Sequence, residues 1–346
     1  MRIGSRMVGP GHPCYVIAEA GVNHNGDPGL AFRLVDAAAA AGADAVKFQT
    51  FKADRVASPR AAKAAYQRRT TPRDEAQLEM LRRLELPFDV FADLHAYCER
   101  LGIQFLSTPF DDESAEFLAG LGIPAFKVAS GEVTNLPFLR RLAGYSRPLI
   151  ISSGMAWLGE VEAAVNAVAG AGCSEVVLLH CVSNYPADPA DVNLRAMDTL
   201  RAAFDVPVGY SDHTPGDEVA LAAVARGACV LEKHFTLDRG LPGPDHAASL
   251  EPGELTALIA AVRRVEAALG DGRKRPAASE GETAAAARRS IVAACDIAEG
   301  TVLAETMLDF RRPGTGLPPA LLEQVVGRTA RRDIPAGAIL SLDMVD

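Results

Sequence analysis

What this chain lacks narrows its class before any motif is read. No stretch of its 346 residues approaches the roughly 18 consecutive apolar side chains that a membrane-spanning helix needs. Its opening residues, MRIGSRMVGPGHP, hold no apolar signal-peptide core, so the expectation is a soluble, cytoplasmic protein with no membrane partner. Positive charge is also scarce. Thirty-five Lys and Arg stand against 44 Asp and Glu, a net charge of −9, which disfavours nucleic acid as the main partner. The six cysteines form no Cys-x-x-Cys pair, which argues against a disulfide framework or a structural zinc site and leaves most of them as small buried hydrophobes. With 49% hydrophobic residues the chain can bury a large core, and its length suits two domains.

What is present is a repeating alternation. Short runs rich in Val, Ile and Phe begin with YVIAEAG (15–21), DAVKFQT (44–50), IQFLSTPF (103–110) and AFKVASGE (125–132). They continue with PLIISSGM (148–155), VVLLHCVS (176–183), VPVGYSDHT (206–214) and CVLEKHFT (229–236). Between them lie longer Ala/Leu stretches of helical period, with acidic starts and closing glycines. Eight strand–helix units predict an α/β fold, a (β/α)8 barrel over residues 1–272, in preference to an open doubly wound sheet. The long interval 51–102 is expected to carry an extra loop or helix after the second strand. Residues 273–286 are polar with no strand pattern and read as a linker. From 287 to 346, turn signals and the echoing phrases DIAEGTVL and DIPAGAIL predict a small, mostly β domain, too slight to be robust unless it docks on something.

Polar groups gather at the strand ends: Glu19, Lys47 with Gln49, Thr108, Lys127 with Ser130 and Glu132, and Ser152 with Ser153. Ser183 with Tyr185, Ser211 with Asp212 and His213, and Lys233 with His234 complete the series. For one residue, loop polarity explains enough. Eight strand ends together mark the C-terminal rim where such barrels place active sites. Lys47 and Lys127 lie inside apolar strands and need anionic partners. With hydroxyls of Thr108, Ser130, Ser152 and Ser211 they can cradle a phosphate and a carboxylate, or one of them can form a Schiff base with a ketone. His213 and His234 end consecutive strands and can share a divalent metal, with Asp245 and His246 nearby; Mn²⁺ or Mg²⁺ suits the site as well as Zn²⁺. Glu132 is a candidate acid or base, and Glu19 a candidate for orienting a hydroxyl or water.

Taken in order, AEAGVNHNGD, DAVKFQT, FLSTPFD, KVASGE, SSGM, HCVSNYPA, GYSDHT, EKHFTLDR and GPDHAASLEP resemble the sialic acid synthase family. The tail, DFRRPGTGLPP with GRTARRDIPAGAIL, looks like that family's C-terminal antifreeze-like (SAF) domain, and the resemblance covers nearly the whole chain. It implies a metal-dependent condensation of phosphoenolpyruvate with an N-acetylated aldose such as N-acetylmannosamine, giving a nonulosonic acid and phosphate. By the same resemblance Lys47, Thr108, Lys127, Ser130, Ser152, Ser183 and Ser211 would hold phosphoenolpyruvate. Gln49, Tyr185, Asp245 and Arg312 would meet the sugar, Glu19 and Glu132 would be catalytic, and His213 and His234 would hold Mn²⁺, or Mg²⁺ or Co²⁺. It also implies a domain-swapped homodimer in which Arg312 serves the partner's barrel. One position departs from the pattern: Ser183 stands where many members carry Asn, and Asn184 follows. A legionaminic or pseudaminic acid synthase is therefore an alternative to the neuraminic one, and a lysine Schiff-base pyruvate aldolase is a further rival.

Overall fold

A computed structural model describes residues 1–72 and 74–346 and divides them into two compact units, Met1–Gly270 and Asp271–Asp346. The first opens with a hairpin that the sequence reading did not anticipate, β1 (Arg2–Ile3) against β2 (Arg6–Met7). Eight parallel strands follow: β3 (Tyr15–Gly21), β4 (Ala45–Thr50), β5 (Gln104–Pro109), β6 (Phe126–Val128), β7 (Leu149–Ser152), β8 (Val176–Cys181), β9 (Val208–Asp212) and β10 (Val230–His234). They close in chain order, with β10 pairing both β9 and β3, into the expected (β/α)8 barrel.

Local signals set the helices between them. Asp27 caps helix Pro28–Ala40 by accepting from the Gly29 amide at 2.7 Å, and Asp111 caps Asp112–Leu121 through the Ser114 amide at 2.8 Å. Gly102, at φ +74°, turns the chain out of helix Phe88–Leu101 in a conformation that L side chains avoid. The long second connection holds three added helices, Ala53–Val56, Gln67–Thr70 and Gln77–Leu84.

Strand alternation sorts the barrel side chains. Val16, Ala18, Val46, Phe48, Phe126, Val128, Ile151 and Leu231 pack outward on the helices. Tyr15, Ile17, Ala45, Leu106, Ala125, Ile150, Val177, Leu179 and Val230 form an inner cluster with Ile3 and Val8 of the amino-terminal segment. One step further along each strand the inward positions turn polar: Glu19, Lys47, Thr108, Lys127, Ser152, Ser211 and Glu232.

The second unit pairs β11 (Ser290–Ala293) antiparallel with β12 (Leu308–Arg311) around a small core of Ile291, Ile297, Leu303, Ile334 and Leu340. The two echoing phrases contribute isolated bridges, such as Ile297 to Ile334, in place of full strands. The segment expected as a bare linker carries helix Gly281–Ala287, built on an alanine run that favours helix.

Candidate active site

Adjacent strands in register bring the polar groups together. Glu19 stands beside both Lys47 and His234, Gln49 beside Thr108, and Ser211 beside Glu232. Their side chains line a cavity of about 380 Å³ at the carboxyl ends of the strands. At its floor four buried charges alternate in sign. Lys47 Nζ lies 2.6 Å from Glu19 and 3.6 Å from Glu232, whose other oxygen lies 3.5 Å from Lys127. Lys47 also donates to Thr108 Oγ1 at 3.0 Å. Buried ammonium groups demand such partners, and here each has a carboxylate.

The two carboxylates are held differently. Burial raises Glu19 to about 7 even though Lys47 pulls it down. Glu232 also feels burial, but Lys127, Lys47 and the Ser211 hydroxyl outweigh it and bring it to about 2. Glu19 can therefore take up and release a proton near neutrality while Glu232 stays anionic. Burial lowers Lys47, yet its two carboxylates prevail and raise it; in Lys127 burial prevails and lowers it.

Hydroxyl groups form a second cluster. Ser130 Oγ accepts from the Gly154 amide at 3.1 Å and lies 3.1 Å from Cys181 Sγ. A Cβ at Gly154 would stand 2.2 Å from Ser183 Oγ and 2.8 Å from Ser130 Oγ, so only glycine lets the SSGM turn close on these groups. Ser152 Oγ is buried with no partner and free to meet a ligand. Ser211 donates its proton to Glu232 at 2.8 Å, so in this arrangement it presents lone pairs and no hydrogen to the cavity.

The two histidines meet beside the floor, both buried, their rings 5.4 Å apart. His213 Nδ1 donates to the Val182 carbonyl at 2.8 Å, which fixes its tautomer and leaves Nε2 as a lone-pair donor. His234 Nδ1 is buried without a partner. Burial lowers His213 to about 4 and His234 well below its usual range, so both are neutral, as metal ligands must be. Among the described residues no cluster of three His, Cys, Asp or Glu side chains suits a metal. The two neutral imidazoles by themselves offer two nitrogen donors to a cation. The ring of Tyr185 lies 4.2 Å from His213 and 5.5 Å from His234, and Tyr66 lies 4.9 Å from Tyr185 with the rings tilted by 35°. Burial raises Asp245 to about 6, with Lys47 opposing.

The cavity gathers Glu19, Lys47, Gln49, Thr108, Lys127, Ser130, Ser152, Ser183, Tyr185, Ser211, His213, His234 and Asp245. Glu132 is outside its lining. It ends the short helix Ser130–Glu132, and its carboxylate accepts from Asn135 Nδ2 at 2.7 Å. Arg312 belongs to the second unit, where it is exposed and its Nε donates to the Ala287 carbonyl at 3.0 Å. Lys233 and Asp212, counted among the rim groups, pair with each other at 2.6 Å on the outward side of the strands and do not line the cavity. The sequence reading overlooked Glu232, Cys181 and Tyr66. Period-two counting back from His234 points Glu232 inward and Lys233 outward, a signal present in VLEKH.

Fold and site together describe a (β/α)8 barrel whose cavity sets paired lysines and carboxylates beside two neutral histidines. The NeuB family matches residues 34–274 and the SAF domain residues 288–346, so the chain belongs to the NeuB family and is an enzyme of its synthase type. It is 48% identical to the N,N'-diacetyllegionaminic acid synthase of Campylobacter jejuni, over 92% of this chain and 96% of that one. With the N,N'-diacetyllegionaminic acid synthase of Legionella pneumophila identity is 46%, over 99% and 98% of the two chains. Among solved structures it resembles the N-acetylneuraminic acid (sialic acid) synthetase of Leptospira borgpetersenii in complex with citrate, with a TM-score of 0.72 and 36% identity over 82% of this chain and 94% of that one.

Proposed function

We propose that the chain is a cytoplasmic N,N'-diacetyllegionaminic acid synthase, condensing phosphoenolpyruvate with a diacetamido aldose and water to give a nonulosonic acid and phosphate. The observation that carries the reading is the alternating quartet Glu19, Lys47, Glu232 and Lys127 in one cavity with His213 and His234. Two ammonium groups, Thr108 and the Ser130–Ser152–Ser183 hydroxyl cluster suit a small ligand carrying a phosphate and a carboxylate. The two synthase relatives bearing the legionaminic name are 48% and 46% identical to this chain, against 38% for the N-acetylneuraminate-9-phosphate synthase of Homo sapiens, which favours that branch over the neuraminic one.

His213 and His234 would hold a divalent metal, Mn²⁺ first and Mg²⁺ or Co²⁺ as alternatives, which when bound supplies Lewis-acid polarisation of the aldehyde. The enol carbon of phosphoenolpyruvate attacks that aldehyde carbon, forming the new carbon–carbon bond as the C=O π electrons pass to the aldehyde oxygen, which ends as a hydroxyl with the proton later released by water, and leaving a cationic enol-ether carbon. Lys47 and Lys127 fix the phosphate and carboxylate so that the reacting face is presented. Glu19 accepts a proton from the water that adds to the cationic carbon, after which phosphate departs with its bridging oxygen. Gln49, Tyr185 and Asp245 meet the aldose hydroxyl and acyl groups, whereas Glu132, bonded to Asn135 outside the lining, takes no proton-transfer part.

The site is further proposed to be completed in a domain-swapped homodimer by Arg312 from the second copy. Its Nε is engaged at Ala287, and the guanidinium otherwise stands exposed on its turn. Co-expressing Lys127→Met with Arg312→Ala tests this. Complementation in trans restores roughly a quarter of sites when pairing is random, and none if Arg312 acts in its own chain.

Function itself is tested by incubating the enzyme and Mn²⁺ with phosphoenolpyruvate and a panel of N-acylated aldoses, scoring phosphate. Release should require both substrates. Pyruvate consumption with borohydride trapping on a lysine would instead establish the aldolase.

A further inference from the structure

Part of the cavity wall does not come from the strands. Helix Ala53–Val56, the segment carrying Tyr66 and helix Gln77–Leu84 contribute Val56, Met80, Leu81 and Leu84 to the lining, with Ala64, Tyr66 and the amide side chains of Gln67 and Gln77 beside them. Met80 and Leu84 are buried and anchor this wall on Val22, Phe51 and Leu78. Val56 stays 39% exposed and Leu81 half-buried, so their apolar surface is not consumed by folding.

The wall is preformed. Glu85 accepts from the Ala53 amide at 2.8 Å and pairs with Lys52 at 3.1 Å, tying the start of the segment to its end. Lys63, also buried, donates to Thr71 at 2.9 Å and to the Pro72 carbonyl, and pairs with Glu75 at 3.4 Å, closing the loop that presents Tyr66. A wall already ordered lets contact surface translate into preference without an ordering cost.

Its position fixes which part of a substrate it meets. From the imidazole pair the rings of Tyr185 and then Tyr66 follow at spacings of 4.2 and 4.9 Å, leading away from the aldehyde end to this wall. Burial and the nearby charge of Asp245 both disfavour an ionised Tyr66, so the neutral phenol is what the chain presents there. Among the described lining residues the only Lys or Arg side chains are Lys47 and Lys127, both already paired with carboxylates at the floor.

We infer that Val56 and Leu81 are specificity-determining residues that select the aldose by apolar groups on its tail: a second N-acyl methyl and a terminal carbon without its hydroxyl. The inference rests on the synthase reading and deepens it. Methyl groups gain by leaving water against this surface. A terminal phosphate placed there loses its hydration, and the described lining residues of this wall offer no cation to replace it. A terminal hydroxyl is rejected more weakly, because an apolar pocket discriminates against an added hydroxyl by at most about a hundredfold.

The test compares kcat/KM of wild type, Val56→Thr and Leu81→Asn on three aldoses, with thermal melts as a folding check. The aldoses are a diacetamido trideoxy hexose, N-acetylmannosamine, and the terminal phosphate ester of N-acetylmannosamine. Wild type should prefer the first by roughly ten- to a hundredfold. Leu81→Asn should lose about tenfold on that sugar while holding its rate on N-acetylmannosamine, and Val56→Thr should lose a few-fold in the same pattern. Variants that slow all three sugars equally, or keep the wild-type preference, overturn the inference and leave the synthase reading standing. If wild type releases no phosphate from phosphoenolpyruvate with any of the three, the synthase reading falls and the wall has no aldose to select.

Discussion

The cavity has two kinds of wall. One is carried by the barrel strands and is charged, its ions paired with one another and fixed by register: Glu19, Lys47, Lys127 and Glu232 touch because β10, β3 and β4 pair where they do and β6 presents Lys127 to the same floor. The other is carried by the connection between β4 and β5 and is uncharged among the described residues, with Val56, Met80, Leu81 and Leu84 beside Tyr66, Gln67 and Gln77. The contrast separates chemistry from choice. A strand-borne charge cannot move without unpairing a neighbour, whereas a connecting segment can change its side chains while the floor keeps its geometry.

Experiments on the floor should cost most. Removing divalent metal with chelator, or replacing His234 by Ala, is expected to abolish turnover while leaving the melting transition in place, and Mn²⁺ should restore the chelated enzyme. Full activity of metal-stripped enzyme would remove the histidine pair from the account.

Glu19→Gln should lower kcat by about 10²–10⁴-fold, the usual contribution of a proton-transfer group. The sign with pH follows from its raised position. A carboxyl that releases its proton near 7 must be ionised to accept one from water, so wild-type kcat should climb as pH rises through about 7 and then level. The residual rate of Glu19→Gln should be flat across that interval, and a surviving limb would assign the titration to another group.

Glu232→Gln probes the floor's internal pairing. It withdraws the anion shared by Lys47 and Lys127 and the acceptor of the Ser211 hydroxyl. Breaking a buried pair commonly costs about 3–5 kcal/mol, so the melting temperature should fall together with a raised KM for phosphoenolpyruvate. Because Glu232 sits at about 2 when folded, below its ordinary value near 4.5, the stability it contributes is complete above about 4.5 and is lost as pH falls toward 2. Acid unfolding of the Gln variant should lose that part of its pH dependence.

The smallest change among the acidic residues is expected at Glu132, whose carboxylate bonds Asn135 outside the lining. Glu132→Gln should stay within about threefold of wild type in kcat, well short of a typical acid–base contribution. A larger loss would mean that Glu132 reaches the reacting atoms after all.

Much of the strand-borne wall was legible in the sequence, because each barrel strand ends in a short polar motif that can be read without tertiary knowledge. FKVASGE announces Lys127 and Ser130, and YSDHT announces Ser211 and His213. What escaped was direction. Lys233 and Asp212 were counted among the rim groups and Glu232 was passed over, yet alternation turns the first two outward into their own ion pair and Glu232 inward between two lysines. The insertion-borne wall was legible only as extra length. Tyr66 and Leu81 sit in no strand pattern, and only the fold shows that they reach the cavity. The Gly281–Ala287 helix was missed because polar flanking residues masked its alanine run.

The most direct test of the central claim is to run the reaction in ¹⁸O-labelled water with phosphoenolpyruvate, the diacetamido aldose and Mn²⁺, and to weigh both products at early times. The account predicts a nine-carbon acid carrying one labelled oxygen, with unlabelled phosphate released in equal amount, because water adds to carbon and the bridging oxygen leaves with phosphorus. Label in the phosphate, or phosphate formed with pyruvate and no new acid, would contradict it.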